Sequence, residues 1–102
     1  MTFQIHIQGN AVVDLESIHE YLSAYSQDAA ERTYASVKQA ILGLAEFPRR
    51  YAVAPESARA SVEIRHLIVG NYRILYSIIG ETVTVRRVVH AAKDLMDPME
   101  LT

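Results

Sequence analysis

The stretch from Glu63 to Asp94 reads EIRHLIVGNYRILYSIIGETVTVRRVVHAAKD. It holds three runs rich in β-formers, separated by two turn signals. Val62, Ile64 and Leu67 predict one strand, and Gly70-Asn71 a turn after it. Tyr72, Ile74, Tyr76 and Ile78 then alternate at period 2, with Leu75 and Ile79 on the opposite side. A strand apolar on both sides is one covered on both faces, so this run is expected at the centre of a sheet. Ile79-Gly80-Glu81-Thr82 places Gly at the first central position of a two-residue type II′ hairpin. Val83 and Val85 open a further strand, and the adjacent Val88 and Val89 break its alternation, which implies a bulge or an edge there.

Working outward, Phe3, Ile5 and Ile7 alternate with Gln4, His6 and Gln8, the pattern of a strand with one buried face. Gly9-Asn10 interrupts it, with Asn10 placed to cap a helix. Leu15, Ile18, Leu22 and Tyr25 recur at three- and four-residue steps, with Tyr21 widening the stripe, and predict an amphipathic helix over residues 11–24. Asp14 near its start suits the helix dipole. Ser26 can cap a second helix, on which Ala30, Tyr34, Val37, Ile41 and Leu44 form the most regular helical pattern in the chain. Pro48 restricts Phe47 and ends it. So short a link folds the helices back as an antiparallel hairpin, with Tyr21, Tyr25 and Tyr34 expected in its core and Tyr72 and Tyr76 beneath it. Residues 49–60 carry no period and contain Pro55, so they read as a loop; the tail from Leu95, with Pro98, is expected to be loosely ordered. The fold class is therefore α+β in the order β-α-α-β-β-β. A helical hairpin packs on one face of a small, mainly antiparallel four-stranded sheet, as a single domain over residues 1–95 with a tail at 96–102.

Composition narrows the function classes. The 102 residues are half apolar and 22% charged, which suits one modest globular core rather than disorder. No apolar run approaches the roughly 20 residues of a membrane span, and the N-terminus lacks the basic and apolar regions of a secretory signal. With no cysteine, disulfides and thiolate chemistry are excluded, and the expectation is a soluble cytoplasmic protein. His6, His19 and His66 share no ligand-like spacing, so no metal is expected, nor is any cofactor; there is no Gly-rich phosphate loop or nucleophile elbow. The net charge of −2 conceals an asymmetry. Residues 1–48 carry two cationic and six acidic side chains, whereas residues 49–95 carry eight and four. Cationic side chains are therefore expected to stand free on the uncovered part of the sheet, suited to phosphates or an acidic partner.

In order and wording, residues 14–94 resemble the RelE/ParE superfamily, the toxins of plasmid-stabilising and chromosomal toxin–antitoxin pairs. The pieces that carry the resemblance are Asp14-Leu15-Glu16-Ser17-Ile18, Ile41-Leu42-Gly43-Leu44 with Pro48, Ile64-Arg65, Tyr72-Arg73-Ile74-Leu75-Tyr76, and Val88-Val89-His90 with Asp94. RelE-like members resemble ribosome-dependent nucleases that cut mRNA through the ribose 2′-hydroxyl, which requires proton transfer and cations around the phosphate. ParE-like members look like inhibitors of DNA gyrase that act by binding. Both imply a cognate antitoxin, here expected along the helices, residues 11–46, and at a sheet edge, so that an apolar groove should lie beside the helices when the partner is absent.

Under the nuclease alternative the resemblance puts catalysis on Arg65, Arg73 and His90. Two departures weaken it: Ala91 stands where several nucleases carry a catalytic tyrosine, and Glu63 where some carry a further basic residue. The acidic net charge also ill suits an RNA-rich site. The ending Arg87-Val88-Val89-His90-Ala91-Ala92-Lys93-Asp94 is closer to the ParE-like wording, so a gyrase inhibitor is favoured, with Arg86, Arg87 and Lys93 as target contacts. A member that kept the fold and lost its toxicity is the third reading.

Overall fold

A computed structural model describes residues 2–92. The expected boundary at residue 95, the tail 96–102 and Lys93 lie outside the described residues. The elements are β1 (Gln4–Ile7), α1 (Gly9–Ser23), α2 (Gln27–Gly43), β2 (Arg65–Val69), β3 (Tyr72–Ile79) and β4 (Thr82–His90), with two 3₁₀ turns, Pro48–Arg50 and Pro55–Arg59, between α2 and β2. This is the expected β-α-α-β-β-β order.

The four strands form one sheet in the order β1-β4-β3-β2. β2, β3 and β4 make an antiparallel meander, and β1 joins β4 in parallel, pairing Gln4–Ile7 with Thr82–Val85. Both hairpins turn on two residues with Gly first, and Gly70 and Gly80 take φ of 56° and 60° while Asn71 and Glu81 do not have positive φ. One residue of positive φ at the first central position is the signature of a type II′ turn, expected at Gly80-Glu81 and found at Gly70-Asn71 as well, and its twist matches that of the flanking strands.

β3 is central and buried on both sides. Ile74 and Tyr76 face the helices and pack with Val37, Ile41, Leu44, Val83, Val85 and Val88. Leu75 faces the other way, into a smaller cluster with Ala54, Ile64 and Val89. Residues 48–64 are thus more than a connecting loop. They start against Tyr76 and Arg65 on the helix side and run along the β2 edge at Val53. From Ala54 to Ile64 they strap the second sheet face, supplying the cover that the two-sided pattern of β3 demanded. The bulge expected at Val88-Val89 lies just before them. Leu75 pairs with Arg87 and Tyr76 with Val85, so Arg86 is the extra residue. One residue gained reverses the parity of β4, which is how Val85 and Val88 reach the same face.

Three local expectations are corrected. α1 begins at Gly9, because the Gln8 N–H bonds the Val85 carbonyl and the Gln8 carbonyl takes the Ala11 and Val12 N–H groups. Asn10 is therefore inside the helix rather than capping it. The buried stripe of α1 consequently runs from Ala11 through Leu15 and Ile18, one turn earlier than expected. Tyr21 and Tyr25 fall to its side, 63% and 76% exposed, with their rings 5.3 Å apart and tilted at 58°. Tyr34 is 44% exposed at the margin of α2. Ser26 does cap α2, accepting the Ala29 N–H at 3.1 Å.

Candidate functional site

Alternation along β2, β3 and β4 decides where each candidate side chain points. Arg73 shares its face with Leu75 and Ser77, beneath the 48–64 strap. There Glu56, carried on the Pro55–Arg59 turn, meets it with a fully buried side chain. Arg73 Nη1 donates to Glu56 Oε1 at 3.0 Å and Nη2 to Oε2 at 2.5 Å, a bidentate pair. Arg73 Nη1 also donates to His66 Nδ1 at 3.1 Å, so that nitrogen carries no proton. Burial, and then the Arg73 charge, hold the His66 pKa below its ordinary value.

Arg65 pairs with Tyr76 in register and so lies on the helix side of the sheet. Its Nη1 donates to the carbonyls of Tyr51 (2.6 Å) and Arg49 (3.1 Å), and its Nε to Glu63 (3.1 Å). His90 also lies on the helix side, opposite Tyr72, with the two rings edge to face at 5.5 Å. Its Nδ1 accepts the Ala92 N–H at 3.2 Å, and the residue is exposed.

Arg65, Arg73 and His90 therefore do not gather. Arg73 is on the strapped face and the other two are on the helix face. The register partners of Arg65 and His90, Tyr76 and Tyr72, are four residues apart on β3. Their backbones are thus roughly 14 Å apart along the strands and about 10 Å across them. The expectation of free cations on an uncovered sheet face is also corrected, because the face is covered and the sheet's arginines are engaged internally. Arg87 grips Asp14 through Nε (2.7 Å) and Nη2 (2.9 Å), and the Val88 N–H donates to the same carboxylate at 2.9 Å. Asp14 thus closes the β4 edge beyond the reach of β1, rather than serving the dipole of its own helix. Arg86 Nε donates to Ser77 Oγ at 2.8 Å. Glu56 and Asp14 are the residues that the sequence reading missed as partners; Asp14 lies 73 positions from Arg87, and Glu56 sits in a stretch with no period.

Two open grooves flank α1. One of about 580 Å³ is walled by Ile7, Val12, Leu15, His19 and Tyr34, with Glu16 and Glu20 at its rim. It is the apolar groove expected beside the helices. The other, about 570 Å³, runs between α1 and the end of β4, past Tyr21, Tyr72 and His90.

Residues 5–95 match the family described as ParE toxin of type II toxin–antitoxin system, parDE. The chain belongs to the ParE toxin family. Within the wider RelE/ParE group it is also 34% identical over 83 residues to Toxin RelE2 of Caulobacter vibrioides, covering 81% of this chain and 89% of that one. Two solved structures share the fold of this ParE-family chain. A chromosomal ParDE system from P. aeruginosa superposes with a TM-score of 0.70 at 15% identity, covering 87% of this chain and 96% of that one. The RelBE2 toxin–antitoxin complex from Mycobacterium tuberculosis gives 0.65 at 22%, covering 88% and 99%. No helix among the described residues of the toxin is long and apolar enough to cross a membrane.

Proposed function

We propose that this ParE-family toxin stops growth by binding DNA gyrase and is neutralised by a cognate antitoxin seated in the groove beside α1 and α2. The observation that carries the reading is the buried, bidentate Arg73–Glu56 pair. A guanidinium already matched to a carboxylate and shielded from water has little to offer a phosphate, and releasing it would strand Glu56. With Arg65 spent on backbone carbonyls, and His90 far along the strands from Arg65 and on the opposite sheet face from Arg73, an in-line cleavage centre lacks its cations and its proton carrier in one place. A toxin without such a centre acts by occupying its target. Within this reading Arg86, Arg87 and Lys93 are the proposed target contacts, Arg87 only if Asp14 yields. The antitoxin partner rests on the groove and on the toxin–antitoxin systems named for the two structural neighbours.

Ribosome-dependent mRNA cleavage is the second reading, favoured by the likeness to a protein named RelE2. The purified chain should be assayed in parallel for gyrase supercoiling and for mRNA cleavage on ribosomes. Inhibition of supercoiling without cleavage is expected. Cleavage that disappears in Arg73→Ala, with gyrase untouched, would reverse the assignment.

A further inference from the structure

Phe47 is the sole non-glycine among the described residues with positive φ, at 50°, and it is 74% exposed. An aromatic residue in the left-handed region, immediately before a proline, is disfavoured twice over. Such a conformation persists only where its surroundings impose it. Here they do. The Tyr76 hydroxyl, on a residue with no exposed surface, donates to the Pro48 carbonyl at 2.6 Å, and Arg65 holds the carbonyls of Arg49 and Tyr51. The backbone of residues 48–51 is thus pinned from inside, and Phe47 is held outward. The turn seats Pro48 fully in the core, but the Phe47 ring itself is solvated and the core gains nothing from it.

The side chains that follow are cationic and exposed. The Arg49 guanidinium lies 5.7 Å from the Phe3 ring centroid, and that of Arg50 4.9 Å from Tyr51. Neither forms an ion pair among the described residues, and the neighbouring acid, Glu46, accepts a hydrogen bond from Thr2. Phe3, Phe47, Pro48, Arg49 and Arg50 line a shallow groove of about 420 Å³. Arginines laid on aromatic faces, beside an outward ring on a pinned backbone, have the composition of an interface anchor.

We infer that Phe47, Arg49 and Arg50 form a target-contact patch whose occupant is an acidic protein surface with an apolar socket for the Phe47 ring. Two arginines without carboxylates call for anionic side chains opposite them. They are too few, on a chain of net charge −2, for the counterion release that drives binding to a nucleic-acid strand. The patch rests on the reading that this toxin acts by binding, and it lies at the end of the sheet away from His90. It also gives Arg65 a positioning role, holding the carbonyls beneath the patch.

The test uses the full chain with Phe47→Ala, Phe47→Asn and the double change Arg49→Glu/Arg50→Glu. Growth arrest, gyrase supercoiling and the urea midpoint are read together. Each variant should fold as the wild type does, with Asn easing the left-handed backbone, and should need about 30-fold more protein for half inhibition. Phe47→Trp should retain inhibition. A Phe47→Ala chain that inhibits like the wild type, or one that fails to fold, overturns the patch. If the wild type arrests growth without touching gyrase, the gyrase reading fails alone, and loss of arrest in these variants still upholds the patch. Variants that lose binding to RNA instead of to a protein overturn the proposed occupant. A wild-type chain that arrests no growth overturns patch and proposed function together.

Discussion

Glu56 and Arg73 are each almost fully buried, 3% and 5% exposed, and each is the other's counter-ion. Removing one member of such a pair leaves an uncompensated charge in low dielectric, which costs more than the pair itself contributes. Glu56→Ala should therefore lower unfolding free energy by about 3–5 kcal/mol in urea titrations. Replacing both by apolar residues of similar volume should cost far less, and an additive double mutant would contradict this account. His66 adds a pH dependence to the same cluster. Its pKa in the fold is depressed below the 6.5 of the free side chain, because burial and Arg73 disfavour the imidazolium. Below about pH 6.5 the unfolded chain therefore binds a proton that the folded chain resists. The stability is complete above that pH and is lost as pH falls toward the depressed value. Midpoints measured from pH 7.5 to 5.5 should fall in the wild type and fall less steeply in His66→Asn.

The strap is the element whose role was least legible. Residues 49–60 offered Pro55 and no periodicity, and that much reads correctly as irregular chain. Its job follows from β3, whose two-sided apolar pattern announced a cover without naming it. Tyr76 ties the two together: its hydroxyl is held by the Pro48 carbonyl, and burial raises its pKa to about 12. Tyr76→Phe keeps the ring and orphans a buried carbonyl, so it should cost about 1–3 kcal/mol. The strap, with the adjoining Phe47, should become more open to amide exchange while the helices stay protected. Uniform loss of protection would show that the strap does not open separately. The meander, by contrast, was written locally, because Gly70 and Gly80 each combine a turn position with a neighbouring period of two. α1 was expected two residues late and its buried stripe one turn late, since Asn10 suggested a cap and small Ala11 carries little weight in a pattern of large apolar residues. The arginines were legible in place and not in purpose, because their partners Glu56 and Asp14 lie far away in sequence.

At the scale of the whole molecule, α1 has a groove on each side and lays acidic side chains along both. That helix carries Asp14, Glu16 and Glu20 and no Lys or Arg. Asp14 turns to the sheet edge, while Glu16 and Glu20 border the groove of Ile7, Val12, Leu15 and Tyr34. Val12 at 42% and Tyr34 at 44% exposure do little for the core, so their apolar surface is available to an amphipathic segment laid along the hairpin. Tyr34→Ala should change the unfolding free energy from urea titration by no more than about 1 kcal/mol, the range of a substitution outside the core. The same change should weaken the proposed antitoxin complex at least tenfold, because a half-exposed aromatic flanking an apolar groove has the character of an interface hot spot. Titration calorimetry on the separated partners would measure this, and gyrase inhibition by the free toxin should be unaffected. Undiminished antitoxin affinity in Tyr34→Ala would place the antitoxin elsewhere. The groove between α1 and the end of β4, past Tyr21 and His90, would then be the surface to probe, by the same substitution at Tyr21.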